Sequence, residues 1–320
     1  MFQTLIVALP VFGFVAGGYI LGKTPLFDAE RAKGITNYVF WFAVPMLLFR
    51  AGAKLAGGEA APFDPKVLIA YFAASAAIYI SAILANATLF GGKGAEPPLA
   101  GMTAGYSNSV MMGIPLSELF FGADGLAIAT AIIAMSAILY YGTTTLLIEL
   151  RLHKSASVGG ILKETALSLV RTPVILAMAS GLLFGASRLH LHPVAENFVN
   201  IGAAAAVPTA LFALGVSLAQ FKIAGDLAEA GSISALKLLL NPLIAWAIAG
   251  PVLGLTDLPL AAVTLMAALP CAINPFLLAS RYEAYTRRAS AAIVLSTGLS
   301  IITVTLAVGL VQWGPKGFLL

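Results

Sequence analysis

Two stretches of this chain hold amide and hydroxyl side chains among helix-breaking residues. The first is Gly105-Tyr106-Ser107-Asn108-Ser109-Val110-Met111-Met112-Gly113-Ile114-Pro115, and the second is Ala268-Leu269-Pro270-Cys271-Ala272-Ile273-Asn274-Pro275-Phe276. Proline removes a backbone donor and disturbs the carbonyl one turn earlier. The residue before it avoids helical geometry, and glycine weakens a helix further. Both stretches therefore predict interrupted helices. A half-helix that starts at such a break turns unpaired N–H groups and the positive end of its dipole toward the gap, which suits an anion. Asn108 adds an amide that can donate to a carboxylate. Ser107 beside it and Asn274 in the second stretch are further polar candidates for binding. This is chemistry of binding, not of bond making. The sequence has no His-Cys cluster, no Gly-x-Ser-x-Gly elbow and no Walker motif, and its carboxylates fall near span ends or in loops. No catalytic residue, metal or cofactor is expected.

The elements that carry these stretches are membrane spans. Hydrophobic residues make up 60% of the 320, charged residues 10%, and mean hydropathy is +0.95. A soluble domain of this length carries far more charge. At about 20 residues per crossing, the apolar runs predict ten spans. They lie at about 2–22, 35–55, 67–91, 97–121, 125–149, 166–188, 194–220, 231–254, 258–280 and 287–313. Met1 to Gly22 has no basic leader, so no cleavable signal is expected. A lone Cys271 excludes an intrachain disulfide. The net charge of +4 is no nucleic-acid signal, because the basic residues are expected in connections between spans.

The spans fall into two related halves. Val44-Pro45-Met46-Leu47-Leu48-Phe49-Arg50-Ala51-Gly52 returns as Val207-Pro208-Thr209-Ala210-Leu211-Phe212-Ala213-Leu214-Gly215. Pro98-Leu99-Ala100 with Thr103 returns as Pro259-Leu260-Ala261 with Thr264. Five spans per half is an odd number, so the second half enters the membrane from the opposite face and the repeats are inverted. The fold class expected is an all-α membrane protein, with repeats at 1–150 and 166–314 and with spans 4 and 9 broken and crossing near the midplane. The positive-inside rule puts both termini outside, with most of the 18 Lys and Arg residues, Lys237 among them, on inner connections.

Other residues have plainer readings. Pro173 and Pro251 mark kinks or boundaries. Asn241-Pro242 fits either a kink or a supporting role. Asn37 and Asn200 read as hydrogen bonders between helices, and Arg50 and Lys54 as snorkelling side chains at the outer interface. His153, His190 and His192 read as loop residues.

The run from Ser107 to Leu116 is similar to the Pro-Asn-Thr-Leu-Val-Met-Gly-Ile-Pro-Leu signature of the auxin efflux carrier family. Ile35 to Pro45 resembles that family's second helix, and Ala268 to Tyr282 its ninth. The resemblance covers essentially all ten spans. It implies a scaffold of helices 1, 2, 6 and 7 and a transport domain of helices 3–5 and 8–10, crossing at Pro115 and Pro275, with Pro270 in the same break. It also implies a homodimer in a lipid bilayer and an elevator-type carrier for a small organic anion. Asn108 would hold the carboxylate, Val44 would contact its body from the scaffold, and Ile273 would line the other side. The short loop between the halves and the Ala-rich composition resemble the bacterial branch, which implies the inner membrane and a mono- or dicarboxylate such as malonate. An anion channel or sensor on the same fold, or a sodium-coupled bile-acid-type carrier, is the alternative expectation.

Overall fold

The structure is a computed structural model that describes residues 2–59, 64–152, 167, 172–221 and 227–312. The connection between the halves, with Lys154, Lys163 and Arg171, lies outside the described residues, as do Lys222 and Lys316. Among the described residues the chain is helical throughout, with one isolated bridge between extended residues.

The helices are α1 (Phe2–Gly22), α2 (Ala29–Gly57), α3 (Lys66–Leu89), α4 (Glu96–Gly105), α5 (Ser109–Arg151), α6 (Pro173–Ala186), α7 (Pro193–Gln220), α8 (Leu227–Val252), α9 (Asp257–Ala268), α10 (Asn274–Arg281) and α11 (Thr286–Gln312). Among the described residues six stretches are long and apolar enough to cross a bilayer: α2, α3, α5, α7, α8 and Thr286–Ala307 of α11. At 43 residues α5 is about twice the length one crossing needs. It is bent at Gly122, where φ is 59° and ψ is −142°, a backbone shape that glycine tolerates and other residues resist. The bend falls where the sequence predicts the turn between spans 4 and 5. The two interruptions also fall where they are predicted. α4 ends at Gly105 and α9 at Ala268, and each is followed by extended residues before a new helix starts.

Two sets of helix contacts stand out, and α5 joins them by packing on α2 and α7 as well as on α9. In one, α1 lies along α7, and α2 along α6 and α7. The shared spacing of the repeated Val-Pro-x-x-Leu-Phe-x-x-Gly segment matters here, because each copy ends on a glycine at a close contact with another helix. A Cβ on Gly52 would come 2.7 Å from the Met178 carbonyl oxygen, and one on Gly215 would strike the Val15 carbonyl. Small residues of this kind let membrane helices approach to backbone contact. In the other group α3 packs on α4, α8 on α11, and α9 on α3, α5 and α11. The second repeated segment behaves alike in both copies. Thr103 donates to the Leu99 carbonyl at 2.7 Å, and Thr264 to the Leu260 carbonyl at 2.8 Å.

Candidate functional site

The two breaks meet. Residues 106–108 and 270–272 run antiparallel, with Ser107 bridged to Cys271. The Asn108 N–H donates to the Pro270 carbonyl at 2.8 Å, and the Ala272 N–H donates to the Tyr106 carbonyl at 2.9 Å. Backbone groups released by the interrupted helices are thus satisfied by each other, as they must be away from water. Beyond the contact, Ser109–Gly113 winds as a wide π-helical turn that opens α5, and the Gly113 N–H reaches back to the Asn108 carbonyl at 3.1 Å. On the other chain segment, Ile273 caps α10, and Asn274 and Pro275 are its first residues.

Four helix ends therefore converge: the C-terminal ends of α4 and α9 and the N-terminal ends of α5 and α10. Pro270 lies at the contact itself and Pro275 at the start of α10, while Pro115 sits about two turns beyond Ser107, inside α5. Asn108 is 5% exposed, and its side-chain Nδ2 has no hydrogen-bond partner. A buried amide donor of this kind is costly unless something accepts from it. Asn274 is half-buried and donates weakly to the Tyr106 hydroxyl at 3.4 Å. The Tyr106 ring stacks on Tyr140 at 5.0 Å. Ile273 is half-buried, and Val44 is fully buried in α2, whose Val44–Lys54 segment packs on α5.

Ser107 differs from its neighbour. Its hydroxyl accepts from Tyr71 at 2.9 Å and from Lys237 Nζ at 2.5 Å, and it donates to the Met266 carbonyl at 3.0 Å. One donor and two acceptor positions are all a hydroxyl has, so each is used within the protein. Asn241 supports the facing break. Its Nδ2 donates to the Ala267 carbonyl at 3.0 Å, near the open end of α9, and its Oδ1 receives Ser75 Oγ at 3.5 Å. The open question about Asn241 thus resolves toward support. The Cys271 N–H is taken by Ser296 Oγ at 3.1 Å.

Three readings of charged residues are corrected. Lys237 is not on an inner connection: it is fully buried in α8, behind the crossing. Its ammonium also reaches the Gly105 carbonyl at 3.4 Å. Glu229 is not a loop residue, because α8 starts earlier than expected. It is 1% exposed and accepts from Asn86 at 2.7 Å and Tyr285 at 2.8 Å, with Arg288 at 3.2 Å. Arg50 does not simply snorkel, because it pairs with Glu118 of α5 at 3.0 Å. Asn37 is exposed and Asn200 half-buried, and neither makes a side-chain hydrogen bond among the described residues.

A groove of about 500 Å³ lies elsewhere, lined by residues such as Leu55, Val67, Ile128, Met178 and Leu258. It excludes the crossing residues, and its lining is largely apolar, so it is a poor match to a carboxylate. A second cavity of about 570 Å³ is lined by Arg50, Lys54, Arg188 and His190 at the ends of α2 and α6 and just beyond.

Residues 4–308 match the family model described as "Membrane transport protein". The chain belongs to this transporter family. It is 28% identical over 318 residues to the "Putative malonate transporter" of Rhizobium meliloti (strain 1021), covering 96% of this chain and 95% of that protein. It is 28% identical over 302 residues to an "Uncharacterized transporter" of Methanothermobacter thermautotrophicus, covering 93% and 95%. It is 25% identical over 305 residues to the "Uncharacterized transporter YfdV" of Escherichia coli (strain K12), covering 93% and 94%. The auxin efflux carrier resemblance and the family match agree, and the chain is a multi-pass membrane transporter, not an enzyme. In this transporter, sequence reasoning overlooked Tyr71 and misplaced Lys237. Lys237 did leave a signal, since it lies inside the span expected at 231–254, where an ionisable residue marks a functional site by default.

Proposed function

We propose that this membrane transport protein is a secondary carrier for a small organic anion, and that the carboxylate binds at the crossing. The observation that carries the reading is the unpartnered Asn108 amide beside the N-terminal end of α5. It is a donor held ready in a region where a polar group cannot turn to water. Asn274 and Ile273 would line the α10 side, Val44 would face the substrate from α2, and Ser107 would fix the crossing. The two packing groups support an elevator mechanism. α1, α2, α6 and α7 would form the dimeric scaffold, and the remaining helices would carry the substrate past it in the bacterial inner membrane. The malonate named for one relative makes malonate the first acid to test.

The test is binding to purified protein in nanodiscs. Asn108→Ala should abolish malonate binding while the variant elutes and unfolds like the parent. A variant that binds malonate as the parent does would remove the site.

A further inference from the structure

Four helix ends meet at the crossing, and a helix end carries about half a charge. The N-terminal ends of α5 and α10 are positive, and the C-terminal ends of α4 and α9 are negative. Summed over the crossing, these partial charges cancel to first order, so dipoles alone orient an anion without supplying net charge. Lys237 supplies it. The side chain is fully buried, and its ammonium lies 2.5 Å from Ser107 Oγ, next in sequence to the unpartnered Asn108 amide. Its hydrogen-bond partners are the Ser107 hydroxyl and the Gly105 carbonyl, with the Tyr71 hydroxyl beyond Ser107 and Cys271 bridged to Ser107 on the facing segment. The ion pairs of the described residues join Arg50 to Glu118, and Arg288 to Glu96 and Glu229, and Lys237 is in none of them. Holding a cation in such a place is costly unless an anion offsets it.

We propose that Lys237 is the counter-charge of the transported anion, held behind Ser107 so that the crossing selects a carboxylate over an uncharged molecule of the same shape. It is a positioning and specificity residue, acting through its field and through Ser107. The inference rests on the crossing being the anion site. Capping the Gly105 carbonyl is a second role for the same ammonium, but a cap needs only a hydrogen-bond donor. Counter-charge needs a cation, and the experiment separates the two.

Malonate and its uncharged counterpart malonamide are titrated into the purified full-length protein in nanodiscs. The wild type should bind malonate at least about tenfold more tightly than malonamide. Lys237→Gln, which keeps a donor and removes the charge, should weaken malonate by about tenfold or more and leave malonamide unchanged. Lys237→Arg should restore malonate to within about threefold of the wild type. Equal wild-type affinity for the two compounds overturns the proposal, whether or not the glutamine variant folds. So does a Lys237→Gln protein that binds malonate normally, or one that loses both compounds alike. Asn108→Ala run in parallel reports on the site itself. If it binds malonate unchanged while Lys237→Gln does not, the anion sits near Lys237 but not on Asn108, and the site reading fails instead. A wild type that does not bind malonate sinks both.

Discussion

The group of α1, α2, α6 and α7 and the crossing of α4–α5 with α9–α10 solve the same problem by opposite means. In lipid, helices gain nothing from burying apolar surface against each other, so packing and hydrogen bonds must hold them. The first group does it by omission: Gly52 and Gly215 remove side chains so that backbones touch across the halves. The crossing does it by addition. Tyr71, Ser107, Lys237, Asn241 and Ser296 bring polar side chains to the carbonyls, hydroxyls and N–H groups of two broken helices. The first arrangement fits backbone to backbone. The second leaves one amide over.

That contrast can be broken at several places. Gly215→Leu should have the largest effect on the fold, because the new side chain has no room beside the Val15 carbonyl. A cost of about 3 kcal/mol or more is expected, seen as loss of the monodisperse peak in size-exclusion chromatography. Asn108→Ala should do the reverse, removing binding with the thermal unfolding midpoint nearly unchanged. If Gly215→Leu folds normally and Asn108→Ala does not, the division of labour between the two regions is wrong. Asn241→Leu should fall between them. It strips the Ala267 carbonyl and Ser75 of their partner, at about 1–3 kcal/mol of stability in thermal unfolding.

The smallest effect is expected at the seam between the regions. The Arg50–Glu118 pair joins α2 to α5, and both side chains are about a quarter exposed. Glu118→Gln should change stability by less than about 1 kcal/mol, since a partly solvated pair is screened. If α5 slides past α2 during transport, the pair must break, so the variant should alter the uptake rate in liposomes more than its stability. An unchanged rate would mean that the seam does not move there.

Much of this was legible in the chain. Composition fixes a membrane protein, because 10% charged residues cannot cover a soluble surface of this size. Gly105 and Pro270 mark the breaks, because backbone preferences act on the residue itself and its nearest neighbours. The repeated Val-Pro-x-x-Leu-Phe-x-x-Gly and Pro-Leu-Ala segments lead to the expectation of two halves; in the structure Gly52 and Gly215 both sit at close helix contacts, and Thr103 and Thr264 both bond one turn back. Asn108 stood out because an amide inside a broken span has few bland explanations.

What the sequence left open was partnership. Nothing near residue 237 says that its ammonium ends at Ser107, or that Glu229 meets Asn86 across 143 positions. The positive-inside count groups Lys237 with the inner connections although the expected span 231–254 covers it, because a count of charges does not know which face of a helix carries each one. Helix breaking and apolarity are local properties, written residue by residue. The choice of which polar groups satisfy one another is made only when distant segments pack, and in a bilayer interior the absence of water makes that choice decisive.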